Sequence, residues 1–114
     1  ELSEYRFLIN SRGVATVIPY SEYSVYGIIW LLSDGDEDNL DYYEGVKDQI
    51  YYKKKINVSV VNDKVPTLIY IANDIVEGTA RAGYLETVIE GAQSFSAHQE
   101  WLRELKSWFV NDNI

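Results

Sequence analysis

Apolar positions along the chain follow two regimes, strand-like over the first two thirds and helix-like over the last third. Tyr5-Arg6-Phe7-Leu8-Ile9 is aromatic and β-branched and runs into Asn10-Ser11-Arg12-Gly13, which predicts a strand followed by a turn. Val14-Ala15-Thr16-Val17-Ile18 predicts a second short strand, stopped by Pro19. Residues 26–32 form the most apolar stretch, and unbroken apolar character predicts a strand covered on both faces, with Gly27, Ile28, Ile29 and Trp30 central in the sheet. An acidic, helix-like stretch over residues 34–44 ends at Gly45, a residue that adopts the left-handed conformation without a Cβ penalty. Strands are predicted over 51–61 and 66–72, and in the first of these Tyr52, Lys54, Ile56, Val58 and Val60 share a face. Beyond them Tyr84, Leu85, Val88, Ile89 and Ala92 recur at helical spacing, as do Trp101, Leu102, Leu105, Trp108 and Phe109. Both segments read as amphipathic helices whose tryptophans pack on the sheet. With no repeat and no linker, the chain reads as one α+β domain, an antiparallel-rich sheet or small barrel with helices appended.

Composition narrows the function classes. A chain of 114 residues with 46% hydrophobic and 25% charged positions is a globular domain and not a disordered tail. The net charge of −8 argues against a surface that tracks nucleic acid. Its compact basic cluster, Lys53-Lys54-Lys55, reads as a solvated strand guarding a sheet edge. The apolar run from Val25 to Leu32 falls short of the roughly 20 residues that span a bilayer, so no membrane partner is expected. Absence of cysteine removes disulfides, thiolate nucleophiles and cysteine metal sites together, and fits a reducing, cytoplasmic setting. Asp34-Gly35-Asp36-Glu37-Asp38 fails the calcium-loop spacing, since Asn39 and Gly45 stand where Gly and Glu are needed; it reads as a solvated helix start. His98, the lone histidine, reads as an exposed helix residue. HExxH, P-loop and GxGxxG motifs do not occur, so neither metal nor cofactor is implied.

Glu44 is the residue with chemical potential. In the last turn of the acidic helix it faces the negative end of the helix dipole, which disfavours the carboxylate and is expected to raise its pKa. A carboxyl so placed is a candidate general acid/base, although a solvated glutamate is the commoner outcome of the pattern alone. Ten tyrosines against three tryptophans and three phenylalanines suit the walls of a polar cleft.

Asn10-Ser11-Arg12-Gly13-Val14-Ala15-Thr16-Val17-Ile18-Pro19, Val25-Tyr26-Gly27-Ile28-Ile29-Trp30, and Leu40-Asp41-Tyr42-Tyr43-Glu44-Gly45-Val46 occur in that order. Tyr51 opens the next strand, and Gly83-Tyr84-Leu85-Glu86 leads to Gly91-Ala92. This series resembles the γ-glutamylcyclotransferase-like, or AIG2-like, family over residues 5–108. The resemblance implies a compact mixed β-barrel with flanking and C-terminal helices. It also implies conversion of a γ-glutamyl amine or amino acid to 5-oxoproline and free amine, with Glu44 as the acid/base. Tyr51, Tyr70 and Tyr84 fall where relatives carry pocket tyrosines, and the partner implied is a small-molecule γ-glutamyl substrate. The family's first strand and its Tyr-Gly-Ser-Asn loop, whose backbone N–H groups hold the substrate carboxylate, have no counterpart in residues 1–114. The usual Gly-Leu-Pro turn is replaced around Ser96-Ala97-His98. Without the loop, the tyrosine hydroxyls remain as carboxylate donors. Residues 1–114 alone are therefore expected not to cyclise substrate, and an unpaired sheet edge is expected to favour a homodimer or strand exchange. The competing reading is a non-catalytic domain of the same fold that binds a small ligand or a protein.

Overall fold

A computed structural model of the chain describes residues 1–33, 35–61, 63–95 and 97–109. Asp34, predicted to open the acidic helix, and Ser96 of the turn before the last helix lie outside them. Four strands and three helices follow in the order β1 (Leu2–Ile9), β2 (Ala15–Val25), α1 (Asp36–Tyr43), β3 (Tyr51–Val60), β4 (Asp63–Ala72), α2 (Tyr84–Ser94) and α3 (Gln99–Lys106). The strands pair as two antiparallel hairpins, β1 with β2 and β3 with β4.

Pro19 does not stop the second strand. It stands opposite Tyr5, where the register shifts between Ser3 and Tyr5, and β2 runs on to Val25. An imino acid without an N–H is tolerated where the ladder is already broken by a bulge. Positive φ angles at Glu4 and Glu22 mark the same irregularity.

Core residues come from β1, α2 and α3: Phe7 and Ile9 meet Leu85, Ile89 and Ala92 and then Trp101, Leu102 and Leu105. The Phe7 ring stands edge-on to Trp101 at 5.8 Å and to Trp108 at 6.2 Å, the packing predicted for both tryptophans. Each large side chain buried here contributes about 1.5–3 kcal/mol. The helical spacing therefore predicts both C-terminal helices and most of their buried faces, but α3 ends at Lys106, before Trp108, and Phe109, expected on its apolar face, is exposed.

The hairpins are not joined by a hydrogen-bonded ladder among the described residues. Besides a bond from the Tyr51 hydroxyl to the Ala15 carbonyl, two ties join them among the described residues. The buried Thr16 hydroxyl donates to the Ala72 carbonyl at 3.3 Å and accepts the Ala72 N–H at 3.0 Å. At the far end the Glu1 amino group donates to the Ser59 carbonyl and the Ser59 N–H donates to the Glu1 carbonyl, each at 2.8 Å.

Residues 26–32 do not form the expected central strand. They are irregular, and Trp30 and Leu31 are 77% and 100% exposed. An apolar run becomes a buried strand only where neighbours pair its backbone, and no described strand lies beside this one. Tyr26 packs against the core and Ile28 reaches its cavity, so the run follows the molecule without entering it.

Candidate functional site

Helix α1 ends as its sequence predicts. Gly45 has φ +66°, the Val46 N–H donates to the Asp41 carbonyl at 3.0 Å, and the Gly45 N–H donates to the Tyr42 carbonyl at 3.2 Å. This pair of bonds is the Schellman arrangement. It makes Glu44 the C-cap of the helix, one residue beyond its last regular turn, with its own N–H on the Leu40 carbonyl at 2.8 Å. Asp36, Glu37 and Asp38 form the acidic first turn, and the Asp36 carboxylate accepts the Ser33 N–H at 2.7 Å.

Glu44 lines a cleft of about 790 Å³ together with Tyr51, Tyr84, Arg12 and Arg81. Both tyrosines are half-buried and converge on one residue of β2: the Tyr51 hydroxyl donates to the Ala15 carbonyl at 3.4 Å, and the Tyr84 hydroxyl accepts the Ala15 N–H at 3.0 Å. The Tyr84 proton therefore remains available to a ligand. Burial pushes the Tyr51 phenol above its ordinary range, helped by the nearby Tyr84 and Glu44 and opposed by the Arg12 and Arg81 guanidinium groups.

Tyr70 does not line this cleft. Its hydroxyl donates to an Asp41 carboxylate oxygen at 2.5 Å, and burial followed by that bond pushes it up to about 12. Lys53 reaches the other Asp41 oxygen at 2.8 Å and Glu37 at 2.6 Å. The first lysine of the basic cluster is thus an ion-pair partner of α1, while Lys54 and Lys55 are exposed as predicted. The Lys53 bond, then the Tyr70 bond, holds the Asp41 carboxyl below the usual carboxylate range. His98 is exposed at the N-cap of α3, with its ring 5.7 Å from that of Tyr26.

Of the four site residues read from sequence, the structure brings Glu44, Tyr51 and Tyr84 together and leaves Tyr70 with the helix clamp. Arg12 and Arg81, 69 positions apart, were not singled out. The signal for Arg12 lay in Asn10-Ser11-Arg12-Gly13, a turn whose side chains could serve a site, but nothing in the sequence showed that Arg81 would meet it.

A family model described as the AIG2-like family matches residues 24–105. The chain is 27% identical over 101 residues to a Mus musculus protein named gamma-glutamylcyclotransferase, covering 88% of this chain and 54% of that protein. It spans about half the length of that relative. A solved structure named gamma-glutamyl cyclotransferase superposes with a TM-score of 0.88 at 20% identity, over 97% of this chain and 72% of the other. A crystal structure of an uncharacterized protein from Homo sapiens gives 0.86 at 21% identity, over 99% and 73%. At these identities the structural likeness fixes the fold.

Proposed function

The chain belongs to the AIG2-like family, and from that premise we propose a γ-glutamylcyclotransferase-like enzyme that closes a small γ-glutamyl amine or amino acid into 5-oxoproline and releases the free amine. The observation that carries this reading is the placement of Glu44 at a fixed helix end, on the wall of a cleft it shares with Tyr51 and Tyr84.

In the reaction the substrate's α-amine nitrogen bonds to its own γ-carbonyl carbon. The bond from that carbon to the leaving nitrogen then breaks. Because attack is intramolecular, much of the entropic barrier is already overcome within the substrate. Glu44 takes the proton that the attacking nitrogen loses and delivers one to the departing amine, a contribution of about 10²–10⁴-fold. Tyr84, with its oxygen already accepting a backbone N–H, donates a hydrogen bond to the substrate and keeps its proton. The same reading places the protein in the cytoplasm and makes the two hairpins walls of a mixed barrel. A homodimer or strand exchange would use the exposed residues 26–32. Among the described residues no helix is long and apolar enough to cross a membrane.

Glu44→Gln tests the assignment in the longest natural form of the protein. The fold should persist by circular dichroism while 5-oxoproline release, followed by chromatography, falls at least about 10²-fold. Retention of most activity would return Glu44 to a solvated helix end. A second reading, a ligand-binding domain of the same fold, is favoured by an apolar cavity of about 510 Å³ between β2, α2 and α3. Binding of γ-glutamyl compounds with no turnover by the wild-type protein would select it.

A further inference from the structure

We propose that Arg12 and Arg81 form a two-guanidinium seat for a substrate carboxylate in the Glu44 cleft. The identity of the ligand as a γ-glutamyl compound rests on the reading above; the seat itself rests on geometry.

Both arginines are exposed on the cleft wall, and among the described residues neither takes part in an ion pair. In a chain with 18 acidic and 10 basic residues, two unpaired guanidinium groups on one cleft are a departure from the overall charge. The acidic groups beside them do not cancel the pair. Asp41 is already matched by Lys53. Asp74, held below the usual carboxylate range by the Ser11 hydroxyl, the Val76 N–H and then Arg12, makes no ion pair with Arg12 among the described residues. Asp48 lines the wall beside Lys47, and Glu44 is the group assigned to proton transfer.

The two side chains are brought together by a specific local construction. Asn10, with no exposed surface, shapes the Arg12 turn: its carboxamide oxygen accepts the N–H of Arg12 at 3.1 Å and of Val14 at 3.2 Å. Its carboxamide nitrogen donates to the Asp74 carbonyl at 3.1 Å, tying that turn to the segment that leads towards Arg81. Gly13 has φ +83°, and a Cβ there would stand 2.7 Å from the Arg81 Cγ and 2.9 Å from its backbone nitrogen. Only glycine permits this approach. Across it the Arg81 N–H donates to the Gly13 carbonyl at 3.0 Å, and Arg81 Nε donates to the Arg12 carbonyl at 2.8 Å.

The Arg81 Nε–H is thereby fixed, and its terminal nitrogens have no partner among the described residues. The Arg12 side chain likewise makes no hydrogen bond there. A planar guanidinium whose inner nitrogen is anchored presents its outer N–H groups as a fork that matches the two oxygens of a carboxylate. Arg12, Arg81, Glu44 and Tyr51 line the same cleft, so the seat and the acid/base serve one small ligand. The seat also replaces the expectation that tyrosine hydroxyls alone remain to hold the carboxylate.

The experiment uses the Glu44→Gln protein, in which turnover is removed, titrated calorimetrically with a γ-glutamyl amino acid, a γ-glutamyl alkylamine and glutarate. Adding Arg12→Gln or Arg81→Gln should weaken binding of the γ-glutamyl amino acid about 10- to 100-fold each, the loss of charge-assisted bonds to one carboxylate. Arg12→Lys, which keeps the charge without the fork, should recover part of the loss. An equal loss with the alkylamine assigns the seat to the α-carboxylate of the glutamyl group; a loss confined to the amino acid assigns it to the leaving group. Glutarate has carboxylates and no scissile amide, so its binding reports the seat even where the wild-type protein releases no 5-oxoproline. Unchanged affinity for all three ligands in the folded Arg12→Gln variant overturns the proposal. That variant breaks no hydrogen bond among the described residues, so an effect on it is not a folding effect.

Discussion

Thr16 and Asn10 are the buried polar side chains of the described structure, and each stands where two segments meet without a backbone ladder. The Thr16 hydroxyl occupies both the N–H and the carbonyl of Ala72, completing the hydrogen bonding of β4 from the opposite hairpin. Thr16→Val keeps the shape and leaves both backbone groups unpaired, at about 1–3 kcal/mol for each group that water does not reach. Ser24→Ala, at a half-buried position whose hydroxyl donates one bond to the Glu1 carboxylate, should cost less, about 1 kcal/mol. Urea unfolding of the two variants checks the contrast, and a Thr16→Val midpoint no lower than that of Ser24→Ala would remove the hydroxyl's joining role. Neither Asn10 nor Thr16 was legible as a structural residue. Asn10 reads as turn composition and Thr16 as one residue of a β-branched run, and the partners that make them matter, Asp74 and Ala72, lie 64 and 56 positions away.

At the scale of elements, α1 poses a physical problem: it has eight residues and none of them is buried. A helix so short is marginal by its own propensity and needs attachment. Lys53 and Tyr70, one from each strand of the second hairpin, supply it through Asp41 and Glu37. The Asp41 pKa is depressed, so its contribution is present above the unfolded value of 3.8 and is lost as pH falls through the lower folded one. The Lys53 and Tyr70 values are raised, so their contributions hold below 10.5 and 10.0 and fade as pH climbs past the folded values. The clamp should therefore be complete between about pH 4 and 10. Asp41→Asn should speed hydrogen exchange of the Leu40 to Glu44 amides at neutral pH, leave the β1–β2 hairpin unchanged, and flatten the acid-side loss of α1 protection. Exchange in α1 that is indifferent to the substitution would show that the clamp does not hold the helix. The sequence made the helix, its acidic start and its glycine stop legible because those signals are local. The lysine run was legible only as charge, because which lysine faces a helix is decided by the twist and placement of the hairpin.

For the whole molecule the informative failure is the run 26–32. Its pattern satisfies every local criterion for a buried strand, yet burial belongs to the sheet and not to the segment, and no described strand pairs with it. The helical periodicities fared better because each apolar face carries its own core: Leu85, Ile89 and Ala92 meet Trp101, Leu102 and Leu105 with β1 behind them. The run leaves Ile28, Ile29, Trp30, Leu31 and Leu32 exposed, inside a stretch from Tyr23 to Ser33 with no charged residue. On a chain of net charge −8 this is where two copies approach with least repulsion. A contiguous apolar surface is also where association gains most from burial. Self-association through this run should therefore appear as a concentration-dependent sedimentation coefficient at neutral pH, and Leu31→Asp should abolish it. Because Leu31 is fully exposed, the substitution removes no packing, and the thermal midpoint of the dilute protein should not move. Sedimentation independent of concentration in the wild-type chain would rule out the run as an association surface. A Leu31→Asp midpoint that falls as far as that of Leu105→Ala, where a fully buried side chain is truncated, would instead place the run in the core.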